Sequence, residues 1–193
     1  MTPDTRQRLE IFAATLERWN AAINLVSRRD MAQLWPRHIE DSLQLAALAD
    51  PPPARVIDLG SGGGFPGMIL AIATGAHVDL IEEDRRKCAF LLEAARLTLA
   101  PVTVHADRIE RVAIPPAPVI TARALAPVAV LLGLAERLLE PGGECWFLKG
   151  REAEAERADA SRDWDMTVTR VPSRTDPDGV ILRISDIRRR GTP

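Results

Sequence analysis

The glycine-rich segment that starts at Asp58 is the part of this sequence whose residue types and spacing most clearly predict chemistry. A short apolar run, Arg55–Leu59, leads into it, and five glycines lie within the eight positions Gly60–Gly67. Because glycine has no side chain, such a loop lets the backbone approach a ligand closely. In open α/β sheets, ligands bind beyond the carboxyl ends of the strands, where a strand leads through a loop into a helix. The segment therefore predicts a cofactor site.

Two cofactor chemistries fit this loop. Gly62, Gly64 and Gly67 have the spacing of a dinucleotide-binding loop, in which the start of the helix binds a pyrophosphate. The order acid-x-Gly-x-Gly-x-Gly from Asp58 is instead typical of the S-adenosylmethionine loop of class I methyltransferases. In that interpretation Asp58 binds near the amino group of the cofactor, directly or through water, and Gly60 and Gly62 are backbone contacts. The alternatives are a methyltransferase and an NAD- or FAD-binding oxidoreductase.

An acidic residue after the next predicted strand supports an adenosyl cofactor of either kind. Glu82 follows the strand Val78–Ile81, 20 residues after Gly62. A carboxylate at this position is placed to bind the two ribose hydroxyls of the cofactor. Glu83 lies directly beside it, so the sequence leaves open which of the two carboxylates holds the ribose.

Alternating strands and helices after residue 54 predict the fold that must position these groups. They indicate an α/β, Rossmann-like fold with a mostly parallel seven-stranded sheet and an antiparallel C-terminal hairpin. The predicted strands are Arg55–Leu59, Val78–Ile81, Val102–His105, Val119–Ala122, Glu144–Leu148, Thr167–Val171 and Val180–Ser185. The predicted helices are Gly67–Thr74, Arg85–Leu99, Val128–Leu139 and Arg151–Ser161, with Pro141-Gly142-Gly143 as a stop and turn.

The first 50 residues have a different pattern. Apolar residues at helical spacing predict a helix over residues 2–23, followed by a polar connection over 24–30 and a second helix over 38–48. Pro51-Pro52-Pro53 marks the boundary. We expect residues 1–50 to be a helical extension packed on the main domain, residues 51–193, so that the chain is one structural unit.

Composition excludes several classes of protein. The 193 residues carry a net charge of −2, whereas a general nucleic-acid coat protein would be basic. Two cysteines exclude a disulfide-rich scaffold and a cysteine-cluster zinc site, and we expect no metal. The apolar runs are too short to span a membrane, and the first residues do not form a signal peptide, so we expect a protein of the cytoplasm.

Several further motifs carry a specific resemblance. The sequence resembles the RsmG (GidB) family of methyltransferases that act on small-subunit ribosomal RNA in bacteria. The Arg-His-Ile-x-Asp-Ser block and the Phe-Pro-Gly end of the glycine loop make the resemblance specific. The matching segments are, in family order, Asn24-Leu25-Val26-Ser27, Arg37-His38-Ile39-Glu40-Asp41-Ser42, Asp58–Gly67, Arg108-Ile109-Glu110, Arg123-Ala124 and Leu148-Lys149-Gly150.

The resemblance implies a class I S-adenosylmethionine-dependent methyltransferase that modifies the 7-position nitrogen of one guanine in 16S ribosomal RNA. It places cofactor contacts at Gly60, Phe65, Ile109, Glu110 and Arg123. That nitrogen has a free lone pair, so no general base is needed and no catalytic residue is assigned. A non-catalytic ribosome-binding module is the remaining alternative.

A few cationic residues near the predicted site are candidates for binding the RNA backbone. These candidates are Arg28, Arg29, Arg37, His38 and Lys149. The partner that the resemblance implies is small-subunit ribosomal RNA, either free or in an assembled particle. Arg188–Arg190, near the C-terminus, would be either a flexible tail that touches RNA or a solubilising end.

Overall fold

One seven-stranded sheet forms the centre of the molecule, in a computed structural model that describes residues 1–48 and 50–191. Its strand order is β3-β2-β1-β4-β5-β7-β6. The strands are β1 (Arg55–Leu59), β2 (His77–Ile81), β3 (Val102–His105), β4 (Ala117–Arg123), β5 (Leu139–Lys149), β6 (Trp164–Pro172) and β7 (Val180–Arg189). Strands β1 to β5 pair in parallel, and β7 pairs antiparallel with both β5 and β6. The expected sheet with its antiparallel C-terminal hairpin is confirmed.

Helical elements cover the N-terminal segment and both faces of the sheet. They are α1 (Pro3–Asn20), α2 (Arg28–Met31), a π-helical turn (Trp35–Ile39), α3 (Glu40–Leu43), a 3-10 turn (Gln44–Ala47), α4 (Gly67–Thr74), α5 (Arg85–Thr98), α6 (Val128–Ala135) and α7 (Ala153–Ala160). Within the two described ranges, no helix combines the length and apolar character that a bilayer span requires.

The N-terminal segment is more broken than the sequence pattern predicts. Helix α1 ends at Asn20, three residues early, because the Asn20 side chain accepts hydrogen bonds from the backbone N–H groups of Leu25 and Val26. The connection expected over residues 24–30 contains the start of α2, which Ser27 caps. The single helix expected over 38–48 is instead a succession of π, α and 3-10 turns.

The C-terminal third differs from expectation at two places. The helix predicted to reach Leu139 ends at Ala135, and the predicted turn at Pro141–Gly143 lies within β5, where the register against β4 shifts. There the Cα of Gly143 packs so closely on the carbonyl of Pro118 that a Cβ would lie 2.8 Å from its oxygen. The arginines at 188–190 do not form a free tail, since the first two extend β7 and the third pairs with Asp165 at 2.8 Å.

Two apolar clusters sandwich the sheet. The first joins α1, α4 and α5 to one face, and the second joins α6 and the C-terminal hairpin to the other. Helix α1 contributes Leu9, Phe12 and Leu16 to the first cluster, all with 0% exposure. The N-terminal segment therefore shares a core with the sheet.

Candidate functional site

A cleft of about 670 Å³ opens at the carboxyl ends of β1, β2 and β4. This is the point where the chain reverses direction across the sheet, from β1–β2–β3 on one side to β4 on the other, and ligands of open α/β sheets bind there. Seven of the eight residues predicted as cofactor contacts line it: Gly60, Gly62, Phe65, Glu82, Ile109, Glu110 and Arg123. The topology therefore brings together residues that are far apart in the sequence.

The glycine loop forms one wall of the cleft in a conformation that needs glycine. The backbone φ angle is +64° at Gly60 and +52° at Gly62, a region that other residues rarely adopt. A Cβ on Gly60 would lie 2.7 Å from the side chain of Leu125, which also lines the cleft. The loop therefore presents bare backbone to a ligand.

The carboxylate of Glu82 lies at the base of this loop and is 7% exposed. Its Oε2 accepts a hydrogen bond from the N–H of Gly62 at 2.9 Å, and its Oε1 accepts one from the N–H of Asp84 at 2.8 Å. Each oxygen keeps further acceptor capacity, so the carboxylate is held in place and can still accept from hydroxyl groups. The neighbouring Glu83 also lines the cleft, but its side chain is 70% exposed and 3.8 Å from Arg108.

Asp58 is the one predicted cofactor contact that does not line the cleft. Its side chain is fully buried beneath the loop, and its Oδ1 accepts a hydrogen bond from the hydroxyl of Thr121 at 2.7 Å. Burial raises the pKa of this carboxyl to about 6. The direct contact with an amino group of the cofactor does not fit this position. Asp58 instead supports the loop from below.

The start of helix α4 is closed to a phosphate. The N–H groups of Gly64 and Phe65 donate to the carbonyl of Ser61 at 2.7 and 3.3 Å, and that of Met68 donates to the carbonyl of Gly64 at 3.0 Å. The buried carboxylate of Asp58 lies against Gly67. A dinucleotide loop instead needs open backbone N–H groups there, away from negative charge. This geometry disfavours the NAD- or FAD-binding alternative.

Arg123 is held at the end of β4 by contacts on every side of its guanidinium. Nε lies 3.2 Å from Oδ2 of Asp41, Nη1 donates to Nδ1 of His38 at 2.6 Å, and Nη2 donates to the carbonyl of Arg37 at 2.7 Å. The guanidinium also lies 6.0 Å from the centre of the Phe65 ring. Burial lowers the pKa of Arg123, and Asp41 opposes that shift. These contacts fix a cation at the wall of the cleft.

His38 stacks beside Phe65, with ring centres 4.9 Å apart. Because arginine only donates, Nδ1 of His38 accepts from Arg123 and the ring proton lies on Nε2. Burial, and then the positive charge of Arg123, lower the pKa of His38 to about 4. The ring is therefore neutral at physiological pH. It cannot act as a cation toward phosphate.

The other residues predicted to contact RNA differ in where they lie relative to the cleft. Arg37 lines the cleft, whereas Arg28 and Arg29 are exposed on α2 and lie outside its lining. Lys149 is 8% exposed and is bound by Glu156 at 2.7 Å and by the carbonyl of Ala126 at 2.5 Å. Its ammonium is thus engaged within the protein. The predicted contact of Lys149 with RNA does not fit this arrangement.

A second cavity of about 450 Å³ adjoins the cleft, and sequence reasoning missed it. The two share Arg37 and the segment 123–126, and the second extends to Asp41 and to the loop between β6 and β7. Ala124, on the shared wall, has a φ of +50°, a strained conformation for a residue with a side chain. In the sequence, Asp41 stands out only as part of the Arg-His-Ile-x-Asp-Ser block. The residues between β6 and β7 indicate only a turn.

The sequence of this chain is similar to those of one family of known proteins. The family model described as rRNA small subunit methyltransferase G, GidB, matches residues 5–178. A protein of Gluconobacter oxydans named ribosomal RNA small subunit methyltransferase G is 61% identical over 96% of this chain and 96% of its own length. A protein of the same name from Rhodospirillum centenum is 52% identical over 97% of this chain and 87% of its own length.

Solved structures with similar folds are more distant in sequence. Pyrococcus horikoshii TYW2, crystallised with MeSAdo, has a TM-score of 0.59 at 17% identity, covering 78% of this chain and 62% of its own. A ribosomal protein L11 methylase of Lactobacillus delbrueckii has a TM-score of 0.59 at 17% identity, covering 75% of each chain. At such identities the likeness concerns the fold, which is that of class I methyltransferases.

Proposed function

The chain belongs to the rRNA small subunit methyltransferase G (GidB) family, and we propose that it transfers a methyl group from S-adenosylmethionine to the 7-position nitrogen of a guanine in small-subunit ribosomal RNA. The observation that carries this proposal is the cleft at the ends of β1, β2 and β4, where the bare loop at Gly60 and Gly62 meets the fixed carboxylate of Glu82. An open glycine wall and an acceptor for two hydroxyls suit an adenosyl cofactor.

Different residues of the cleft suit different parts of S-adenosylmethionine. Glu82 would accept from the ribose hydroxyls of the cofactor, and Ile109 and Glu110, which line the cleft from the segment after β3, would contact its adenine ring. Gly60, Gly62 and Phe65 would hold the methionine part, and Arg123 would bind its carboxylate. When bound, S-adenosylmethionine supplies an electrophilic methyl group on a positively charged sulfur. Asp58 would support the loop from beneath.

Catalysis at this nitrogen requires positioning rather than proton transfer. The 7-position nitrogen of guanine is an acceptor with a free lone pair, so it can take a methyl group without first losing a proton. The absence of an assigned general base is therefore consistent with the reaction. Since the guanidinium of Arg123 is held by His38, by Asp41 and by the carbonyl of Arg37, it forms a fixed part of the wall beside the reacting groups. The base has to leave its stack to reach the cleft.

The RNA partner follows from the family and from the charge of the molecule. Arg37 borders the cleft, and Arg28 and Arg29 lie on the exposed helix α2, where they can contact phosphates. Since the net charge is only −2, with no overall positive field, we infer that an assembled small-subunit particle supplies part of the binding surface. The protein then acts where ribosomal particles are found, in the cytoplasm.

A methyl-transfer assay tests the proposal directly. Small-subunit particles from a strain that lacks this protein are incubated with it and with labelled S-adenosylmethionine, and the labelled nucleoside is identified. We expect one 7-methylguanosine per particle. Calorimetry with S-adenosylhomocysteine and with NAD separates the two cofactor classes. Tight binding of NAD alone, or a particle that takes up no label, would refute the proposal.

A further inference from the structure

We propose that the second cavity is the pocket for the target guanine and that Asp176 binds the edge of the base that carries N1 and the 2-amino group. This inference rests on the proposed function and adds the residue that selects the base. The cavity lies directly beyond the cofactor cleft, because the two share Arg37 and the segment Arg123–Ala126 as a common wall. Its volume, about 450 Å³, lies within the range of about 300–1,000 Å³ that is usual for small-ligand sites.

The charges that line this cavity leave one carboxylate for a ligand. Three acidic side chains, Asp41, Glu156 and Asp176, reach its walls. Asp41 is paired with Arg123 at 3.2 Å, and Glu156 is paired with Lys149 at 2.7 Å. Asp176 has no ion-pair partner among residues 1–48 and 50–191. Arg37 also lines the cavity but lies 3.8 Å from Asp30, outside the lining, so Asp176 is the charged group of this lining that has no ion-pair partner in the described part of the chain.

The loop that carries Asp176 is held in shape before any ligand arrives. Oδ1 of Asp176 accepts from the N–H of Asp178 at 2.9 Å, and its carbonyl accepts from the N–H of Gly179 at 3.0 Å. Gln44, from the N-terminal segment, accepts from the N–H of Arg174 at 2.6 Å. The second oxygen of Asp176, Oδ2, has no hydrogen-bond partner within the described part of the chain. A fixed acceptor on a rigid loop is suited to selecting a base.

Guanine is the base whose chemistry matches this acceptor. Its N1–H and 2-amino group are adjacent donors, whereas adenine offers an acceptor at N1. A carboxylate can accept from both donors of guanine. That edge lies on the opposite side of the purine from N7, so a guanine held at Asp176 can direct N7 toward the shared wall and the cofactor cleft.

The same contact favours the reaction as well as binding. As the lone pair of N7 forms the new bond to carbon, positive charge moves onto the purine ring and N1–H becomes a stronger donor. Its bond to a carboxylate is therefore stronger in the transition state than in the bound substrate. Loss of the negative charge at position 176 should lower kcat as well as raise KM.

The test combines a change in the protein with a change in the base. Asp176→Asn keeps an oxygen for the N–H of Asp178 but loses the charge, and Asp178→Asn is its matched control in the same loop, outside the cavity. Reconstituted particles carry either guanine or inosine, which lacks the 2-amino group, at the position that the unaltered protein methylates. Calorimetry with S-adenosylhomocysteine checks that each variant keeps its cofactor cleft.

We expect Asp176→Asn to lower kcat/KM on guanine by about 10- to 100-fold, with the affinity for S-adenosylhomocysteine within threefold of normal. Inosine should lower the activity of the unaltered protein about tenfold but change that of Asp176→Asn less than threefold. Equal activities of Asp176→Asn and Asp178→Asn would overturn the inference, as would equal use of guanine and inosine by the unaltered protein. The comparison of guanine with inosine uses the unaltered protein, so its result does not depend on whether a variant folds. If the unaltered protein methylates no guanine, the proposed function itself fails.

Discussion

Gly60 shows how one residue sets the shape of the cofactor cleft. Its positive φ and the 2.7 Å approach of Leu125 to its absent Cβ leave no room for a side chain. We predict that Gly60→Arg weakens binding of S-adenosylhomocysteine more than 100-fold, because the new side chain fills the cleft. The strained φ costs about 1–2 kcal/mol, so the melting temperature should fall by only a few degrees. Calorimetry and thermal melting measure the two effects.

The chain offers a matched control for that variant. Gly75 ends α4 with a φ of +75°, and a Cβ there would meet nothing within 4 Å. Gly75→Arg therefore carries similar backbone strain and the same charge away from the cleft. It should lower the melting temperature similarly and leave the affinity unchanged. Normal affinity in Gly60→Arg would place the cofactor elsewhere on the molecule.

His38 makes the stability of the protein depend on pH in a definite direction. Its pKa is about 4 in the folded protein and 6.5 ordinarily. Between these values the unfolded chain binds a proton that the folded protein does not, so the stabilisation is complete above pH 6.5 and is lost as the pH falls through 4. Asp58, whose pKa is raised to about 6, has the opposite effect between pH 3.8 and 6.

Replacing His38 with Gln removes the pH dependence that is due to His38 and leaves that of Asp58. Gln still offers an acceptor to Arg123. We predict that the free energy of unfolding of the unaltered protein, minus that of His38→Gln, grows by about 1–2 kcal/mol from pH 4.5 to pH 7. Solvent screening of this partly buried ring keeps the value below the full effect of the shift. Urea denaturation at the two pH values measures the difference, and a constant difference would contradict the pKa.

The sequence predicts residues that the structure brings to one cleft, but it does not predict the direction of their side chains. Glu82 was predicted from its position at the end of a strand, and strand ends are fixed by the parallel sheet. Asp58 was placed in the cofactor site by its spacing from the glycines, yet its side chain points beneath the loop to Thr121. Lys149 was likewise assigned by its strand end, whereas its partner Glu156 comes from a separate helix.

At the scale of elements, Asp41 connects three parts of the fold. Its Oδ2 pairs with Arg123 at the end of β4, while Oδ1 accepts from Gln44 at 3.0 Å and from Thr175 at 2.9 Å. The N-terminal segment, the sheet and the β6–β7 loop therefore meet at one carboxylate. Periodicity predicted the strands well because they are buried apolar runs. It could not predict this junction, which depends on polar contacts between residues more than 80 positions apart.

The junction leads to a prediction with two variants. Asp41→Ala leaves the mostly buried guanidinium of Arg123 without its counterion and should cost about 2–4 kcal/mol of stability. Gln44→Ala removes the bonds to the β6–β7 loop and the bond to Oδ1 of Asp41, but it keeps the ion pair between Asp41 and Arg123. We expect faster hydrogen exchange at residues 173–179 in both variants, but weaker binding of S-adenosylhomocysteine in Asp41→Ala alone. Unchanged affinity in Asp41→Ala would show that Arg123 keeps its position without Asp41.

At the scale of the whole molecule, helix α1 completes the core beneath the glycine loop. Phe12 is fully buried, its ring centre lies 5.6 Å from that of Phe65 and 6.0 Å from that of Phe90, and it covers Gly64. The N-terminal pattern predicts an extension packed on the main domain. It could not show that a ring from this extension packs directly against Gly64 at the start of α4.

We therefore predict that the chain unfolds as one cooperative unit in which α1 is indispensable. Phe12→Ala should cost about 3–5 kcal/mol and also weaken binding of S-adenosylhomocysteine, because the loop at Gly64 loses its support. Leu92→Ala, at a position 57% exposed, should change stability by less than about 0.5 kcal/mol. Calorimetric and van't Hoff enthalpies of unfolding should agree for the unaltered protein. A fragment of residues 27–193 that binds S-adenosylhomocysteine normally would instead show that the methyltransferase domain is complete without α1.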